Sequence, residues 1–263
     1  MAMTTSQRAR TSKIIQIVLF FAIIIALVAI VDWEKASYAF FSFDKLGPMF
    51  PGMILVGLKN TIFYTVISFA FGLVLGLLLA LMKMASFAPY RWFATAFIEF
   101  FRGIPAILVL LAFGFGLPQA FGTTWPQPVN VMFALGLVSA AYIAETLRAG
   151  LQAVPKGQTE AARSLGMPAW RAMVTIVIPQ AFKIVLPPMT NEIILLTKDT
   201  SLAFILGAAA AQYEMTKFGR DGISQLDAGI TPLVVAGLFY LVITIPLSLV
   251  ARKFESRAAK TKR

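Results

Sequence analysis

The sequence predicts an all-α membrane protein with six transmembrane helices and both termini on the cytoplasmic side. Three observations carry this. Of 263 residues, 59% are hydrophobic and 13% are charged, against about 45–50% and about 25% in soluble domains. Uncharged runs of about 20 residues, the length that crosses a hydrocarbon core of about 30 Å, recur along the chain. Basic residues collect on alternate connecting segments, as the positive-inside rule describes. The same composition excludes several kinds of chemistry. With no Cys and no His, there are no disulfides, no thiol or imidazole catalysis and no ordinary zinc site. No Asp/Glu cluster suggests a metal. The net charge of +11 reads as membrane topology and not as nucleic-acid binding.

The first span covers residues 14–31, which hold no charge. Arg8, Arg10 and Lys13 precede it, as in a secretory signal. However, the run is longer than a signal core, and Asp32-Trp33-Glu34 follows without a small-residue cleavage site. It reads as a retained helix. The second covers residues 60–82, with a helix starting near Ile54, and places Gly72, Gly76 and Ala80 four apart on one face. Such a stripe of small residues predicts close packing inside the subunit. A charge-free run at 103–144 is interrupted by LPQAFGTTWPQP (117–128). These turn residues split it into spans at about 92–116 and 129–147. The fifth runs from about 189 to 211 and the sixth covers 228–251.

With the amino terminus inside, the inside segments hold Arg8, Arg10, Lys13, Lys83, Arg91, Arg148, Lys156, Arg163, Arg171 and Lys183 and the tail cations Arg252, Lys253, Arg257, Lys260, Lys262 and Arg263. The outside segments hold only Lys35, Lys45, Lys217 and Arg220. That asymmetry sets the orientation.

Between spans four and five lies a polar inside loop, KGQTEAARSLGMPAWRAMVTIVIPQA (156–181). Helix formers fill 158–165, and Gly166 suits the left-handed position that ends a helix. Pro168 is tolerated at the first turn of a second helix, and Pro179 stops or kinks it. The loop is thus helix, glycine corner, helix. Ala161 and Ala162 give the first helix little bulk, so it suits either close seating against another protein or a partnerless surface position.

Glu160-Ala161-Ala162, Gly166 four positions after Ala162, and Ile176 and Pro179 at the end of the loop resemble the coupling signature of ABC importer permease subunits. Ile178 stands where that family usually has Leu. FRGIPAILVLL (101–111), AAYIAETLRAGLQAVPKGQ (140–158) and TNEIILLTKDTSL (190–202) resemble the polar amino acid branch, the histidine/glutamine/glutamate type. The resemblance spans roughly 52–252. It implies a five-helix type I importer core to which an extra amino-terminal helix has been added, in a bacterial plasma (inner) membrane. The expected organisation is a tail, first helix and external loop at 1–51, the permease domain at 52–252 with its coupling loop at about 151–187, and a basic tail at 253–263. Glu160, Ala161, Ala162 and Gly166 would couple the chain to a cytoplasmic ABC ATPase dimer. The chain has no phosphate-binding loop motif, so ATP and Mg would be bound by that partner, with no cofactor held here. A second permease subunit (itself or a paralogue), an external amino acid binding protein and membrane lipid complete the implied partners.

Charges inside spans mark cavities or partners. Glu99 with Arg102, and Glu145 with Arg148, sit at i, i+3 and read as structural ion pairs. In span five, Glu192 and Asp199 share one face, and Asn191 and Lys198 share the next. Thr197, Thr200 and Ser201 surround Asp199. Counted from a helix start near Met189, Asp199 lies about 15 Å in, near the bilayer midplane. Asn191, Glu192, Thr197, Lys198, Asp199 and Ser201 are therefore candidates for a substrate path, or for charges that hold the bundle together. An ion-gradient-driven secondary transporter is the alternative, for which the carboxylates would be cation sites. A membrane-embedded enzyme finds no nucleophile and base at useful spacing.

Overall fold

The structure, a computed structural model, describes residues 5–261 except Ala208, with side chains described from residue 11 to residue 256. Arg8, Arg10, Arg257, Lys260, Lys262 and Arg263, which entered the charge reading, lie outside the described side chains.

The described residues are helical and contain no strand. In chain order the α-helices are α1 (Thr5–Ile30), α2 (Trp33–Phe40), α3 (Phe50–Gly52), α4 (Lys59–Met84), α5 (Ala88–Gly103), α6 (Ala106–Leu111), α7 (Leu117–Phe121), α8 (Gln127–Gln152), α9 (Lys156–Ser164), α10 (Ala169–Ala172), α11 (Ile178–Asp199), α12 (Met215–Gln225) and α13 (Thr231–Thr261). Tighter or wider turns join several of them into longer rods. Among the described residues five helical stretches are long and apolar enough to span a membrane, and a sixth if one bent pair counts as a span.

That bent pair is the expected third span. α5 stops at Gly103, Ile104 is extended (φ −98°, ψ 136°), and the segment Ala106–Phe121 leaves at 102° to it. The cause is Pro105, whose ring disfavours helical backbone at the residue before it. The fifth span also differs from expectation. α11 does not begin after Pro187-Pro188 but runs through both, continuous with α10, so the rod is Ala169–Leu206. The depth of Asp199 counted from Met189 therefore falls away, since α11 starts about three turns earlier and the rod about five and a half. Proline inside a membrane helix is tolerated where neighbouring segments pack against it. A π-helical turn, Met173–Val177, sits two residues before Pro179, and a second, Ala112–Gly116, sits two residues before Pro118. A wider turn moves the carbonyl that the proline ring would otherwise strike.

α4 and α8 form the centre. Gly72 packs on Gly136 and Ser139, and Gly76 on Ala140 and Ile143. A methyl group at Gly76 would lie 2.7 Å from the Ile143 side chain, so the small-residue stripe is an internal seam. α11 runs antiparallel to α8, with Gly150 against Val185. These contacts set two ends. The loop end carries α9 and α10, and the far end carries α12 and the starts of α4, α8 and α13.

At the far end Asn60 donates to the carbonyls of Ala211 and Tyr213, both at 2.9 Å. Glu214, fully buried, caps α12 by accepting from the backbone of Thr216 (2.6 Å) and Lys217 (2.7 Å). Its carboxylate also accepts from the Tyr240 hydroxyl at 2.9 Å. Burial pushes the Glu214 carboxyl up to about 7, against the pull of these hydrogen bonds.

Candidate functional site: a charged cavity and an exposed loop

The break at Gly103–Pro105 opens a cavity of about 470 Å³ between α5, α6, α8 and α11. Arg102, Ser139, Tyr142, Glu192 and Asp199 supply its polar lining, and Ile104, Pro105, Leu135, Val138, Leu195 and Leu196 its apolar wall. Because α5 ends one residue later, Arg102 reaches the mouth, with its guanidinium 5.5 Å from the Tyr142 ring centre. It makes no ion pair with Glu99 among the described residues, which corrects the expected pairing. The i, i+3 spacing permitted that pair, but the helix end frees Arg102 to turn toward α8. The Ser139 hydroxyl, nearly fully buried, donates to Glu192 at 3.0 Å and fixes one carboxylate oxygen.

Of the six residues proposed for a substrate path, Glu192 and Asp199 line this cavity and four do not. Asn191 and Lys198 precede them by one position, a rotation of about 100° that turns them away. Thr197 is buried, donates to the Ile193 carbonyl of its own helix at 2.8 Å, and borders a separate apolar groove against α4 and α13. Ser201 lies on the 3₁₀ turn beyond Asp199 and takes no part in the lining. Conversely Arg102, Ser139 and Tyr142 belong to the cavity, although the sequence reading gave Arg102 only a structural role and gave the other two none.

Glu145 pairs with Arg148 at 2.7 Å and also with Lys83 of α4 at 2.6 Å. One half-buried carboxylate thus ties two helices near the loop end through two cations. The charge pattern alone marks Lys83 only as a loop charge.

The loop is built as helix, corner, helix. Gly166 has φ +81°; Met167 N–H bonds the Ala162 carbonyl (3.1 Å), and Gly166 N–H bonds that of Arg163 (3.0 Å). These two bonds satisfy the last carbonyls of α9 and need a left-handed residue at the corner. Ala162 is buried, so it is not part of the outward face expected of it. Its small side chain lets α9 sit close against the rest of the loop. Glu160, Ala161 and Gly166 are exposed. Beside them Leu165 is 88% and Trp170 is 69% exposed, unusual for large apolar groups on a polar loop. Val154, Val177 and Ala181 form a small core under the loop, and Gln180 reaches Gln158 at 3.3 Å, so the loop is seated on α8 and α11. From Ala169 the rod runs to Asp199, roughly 45 Å at helical rise, joining the exposed loop to the charged cavity in one continuous element.

Several helices long and apolar enough to span a membrane, an exposed polar loop and a charged cavity between the helices together suit a membrane transport component. Residues 72–260 match the family model of binding-protein-dependent transport system inner membrane components, and the chain belongs to that family. It is 38% identical over 215 residues, 82% of this chain and 96% of the relative, to the arginine transport system permease protein ArtQ of Bacillus subtilis (strain 168). It is 36% identical over 228 residues, 83% and 99% of the two chains, to the glutamate/aspartate import permease protein GltK of Escherichia coli O157:H7. Among solved structures, an amino acid ABC transporter crystallised with histidines superposes with a TM-score of 0.74 at 35% identity, covering 82% of this chain and 98% of that one. The MetNI methionine ABC transporter shares the fold, with a TM-score of 0.65 at 18% identity over 80% of this chain and 98% of that one. The protein is therefore an inner-membrane ABC transporter component with several membrane-spanning helices.

Proposed function

We propose that this chain is the membrane subunit of an ATP-driven importer for a polar amino acid, with both termini in the cytoplasm. The observation that supports this most directly is the cavity, where Arg102 faces Glu192 and Asp199. A free amino acid carries a carboxylate and an ammonium. Arg102 suits the carboxylate, since a guanidinium presents paired donors, and Glu192 and Asp199 suit the ammonium. The relatives named for arginine, glutamine and glutamate/aspartate favour a polar amino acid as cargo.

Hydrolysis belongs to a separate ATPase dimer that seats against the loop. Glu160, Ala161 and Gly166 lie on that face, with Leu165 and Trp170 as its apolar anchors. Closure of the dimer would push the loop, and the Ala169–Leu206 rod would carry the displacement to Glu192 and Asp199, shifting the balance between outward- and inward-open arrangements. A second permease subunit completes the path, and an external binding protein delivers cargo at the far end. Co-purification with the ATPase tests the docking face. Replacing Leu165 and Trp170 with Ala removes anchors worth about 1.5–3 kcal/mol each, so the ATPase should be lost from the purified complex. Full retention would count against the face.

The two buried-side carboxylates also fit a carrier driven by an ion gradient, for which they would hold protons or sodium. Such a carrier has no use for an exposed docking loop.

A further inference from the structure

Residues before the family match at 72 include α1 and α2, a segment with no role in the transport reading. In the 20-residue apolar stretch Thr11–Ile30 no residue is buried inside the rest of the chain. Lipid is the partner for such a face. Only Val31 and Asp32 separate it from α2, whose first turn Asp32 caps by accepting from Lys35 N–H at 3.2 Å. The Trp33 indole N–H bonds back to the Val28 carbonyl in the last turn of α1 at 3.0 Å. That bond holds the indole at the depth where the span ends. Trp33 and Phe40, seven apart, share one side of α2, and Glu34 and Lys35 occupy the other. Trp33, Phe40, Phe41 and Phe43 are all exposed, continuing the exposed apolar surface of α1 past its end.

The other side of α2 is fastened to the α12–α13 turn. The Tyr38 hydroxyl donates to the Asp227 carboxylate at 2.6 Å, and the Lys45 ammonium donates to the Asp227 carbonyl at 2.6 Å and its carboxylate at 3.1 Å. Ile230 N–H donates to the Ala39 carbonyl at 2.9 Å. Gly229, at φ +54°, lets Ala39 approach so closely that a Cβ there would lie 2.7 Å from the Ala39 Cα.

We infer that α2 is an in-plane lipid anchor: its Trp33–Phe40 side is embedded in the interfacial layer of the far leaflet, and its other side pins the α12–α13 turn at that level. Aromatic rings at the end of a span, with charges on the opposite side of a short amphipathic helix, match the chemistry of that layer. A second copy or a soluble partner would instead have to cover a surface continuous with an exposed membrane span.

The chain has no cysteine, so single cysteines report cleanly. Phe40→Cys and Glu34→Cys, each spin-labelled in the assembled transporter in phosphatidylcholine/phosphatidylglycerol vesicles, would be compared for collision with oxygen and with a water-soluble nickel chelate. The anchor predicts that the label at 40 collides with oxygen and is shielded from nickel, while the label at 34 shows the reverse. Nickel access at both positions would overturn it, placing α2 in water. Shielding of position 40 from both reagents would also overturn it, since a protein surface would then cover that side. Adding Asp227→Asn with Lys45→Met should raise the mobility of the label at 40 without exposing it to nickel; unchanged mobility would overturn the role of the clasp.

Discussion

A guanidinium beside a membrane-embedded cavity is costly unless a partner or ligand meets it. Arg102 has the Tyr142 ring on one side and the cavity on the other, and its opposite charges are Glu192 and Asp199 across the space. Arg102→Met should abolish uptake in proteoliposomes while the complex still assembles and hydrolyses ATP. Arg102→Lys should retain part of it, because the charge stays and the paired donors go. Glu214 gives a pH test of a different kind. Its carboxyl is raised from 4.5 to about 7 by burial, so the native chain holds this proton more tightly than the unfolded chain. Its contribution to stability is full below about pH 4.5 and is lost as pH rises toward 7. Glu214→Gln should flatten that part of the thermal-stability profile, while other groups leave theirs unchanged. Arg102 also shows where residue-level reading stops: spacing offered Glu99 as its partner, and only the helix end at Gly103 decides otherwise.

At the scale of elements, the hydropathy of the chain carried most of the spans, because about 20 apolar residues have few alternatives to crossing a bilayer. It did not carry the bend at Pro105, since a charge-free run looks continuous to a hydropathy reading; the signal was the proline itself. Nor did it carry the unbroken course of α11 through Pro187-Pro188, where neighbouring helices override a local breaker. α2 and α12 are too short and too amphipathic to register as spans. The Gly166 corner was legible, because few residues besides glycine accept a left-handed turn after a helix. Gly166→Ala places a side chain at φ +81° and should destabilise the loop by about 1 kcal/mol. The readout is a weakened ATPase complex, with the thermal stability of the isolated chain nearly unchanged. The Glu145 tie should be more severe. Glu145→Ala leaves Lys83 and Arg148 together without their counter-charge, and because these groups are only partly buried a loss of about 1–3 kcal/mol is expected, seen as a lower unfolding temperature in detergent.

For the whole molecule, the Ala169–Leu206 rod joins a loop that presents Leu165 and Trp170 to a cavity that presents charge. In the proposed function that rod would carry work done by an ATPase to a passage through this chain, which is what distinguishes the proposal from a gradient-driven carrier. The most direct measurement is uptake of a labelled polar amino acid into proteoliposomes containing this chain with its ATPase and binding protein, with and without ionophores that collapse proton and sodium gradients. ATP-driven import predicts uptake that requires internal-facing ATP and persists when the gradients are gone. Uptake by this chain alone, without ATP and abolished by the ionophores, would contradict it.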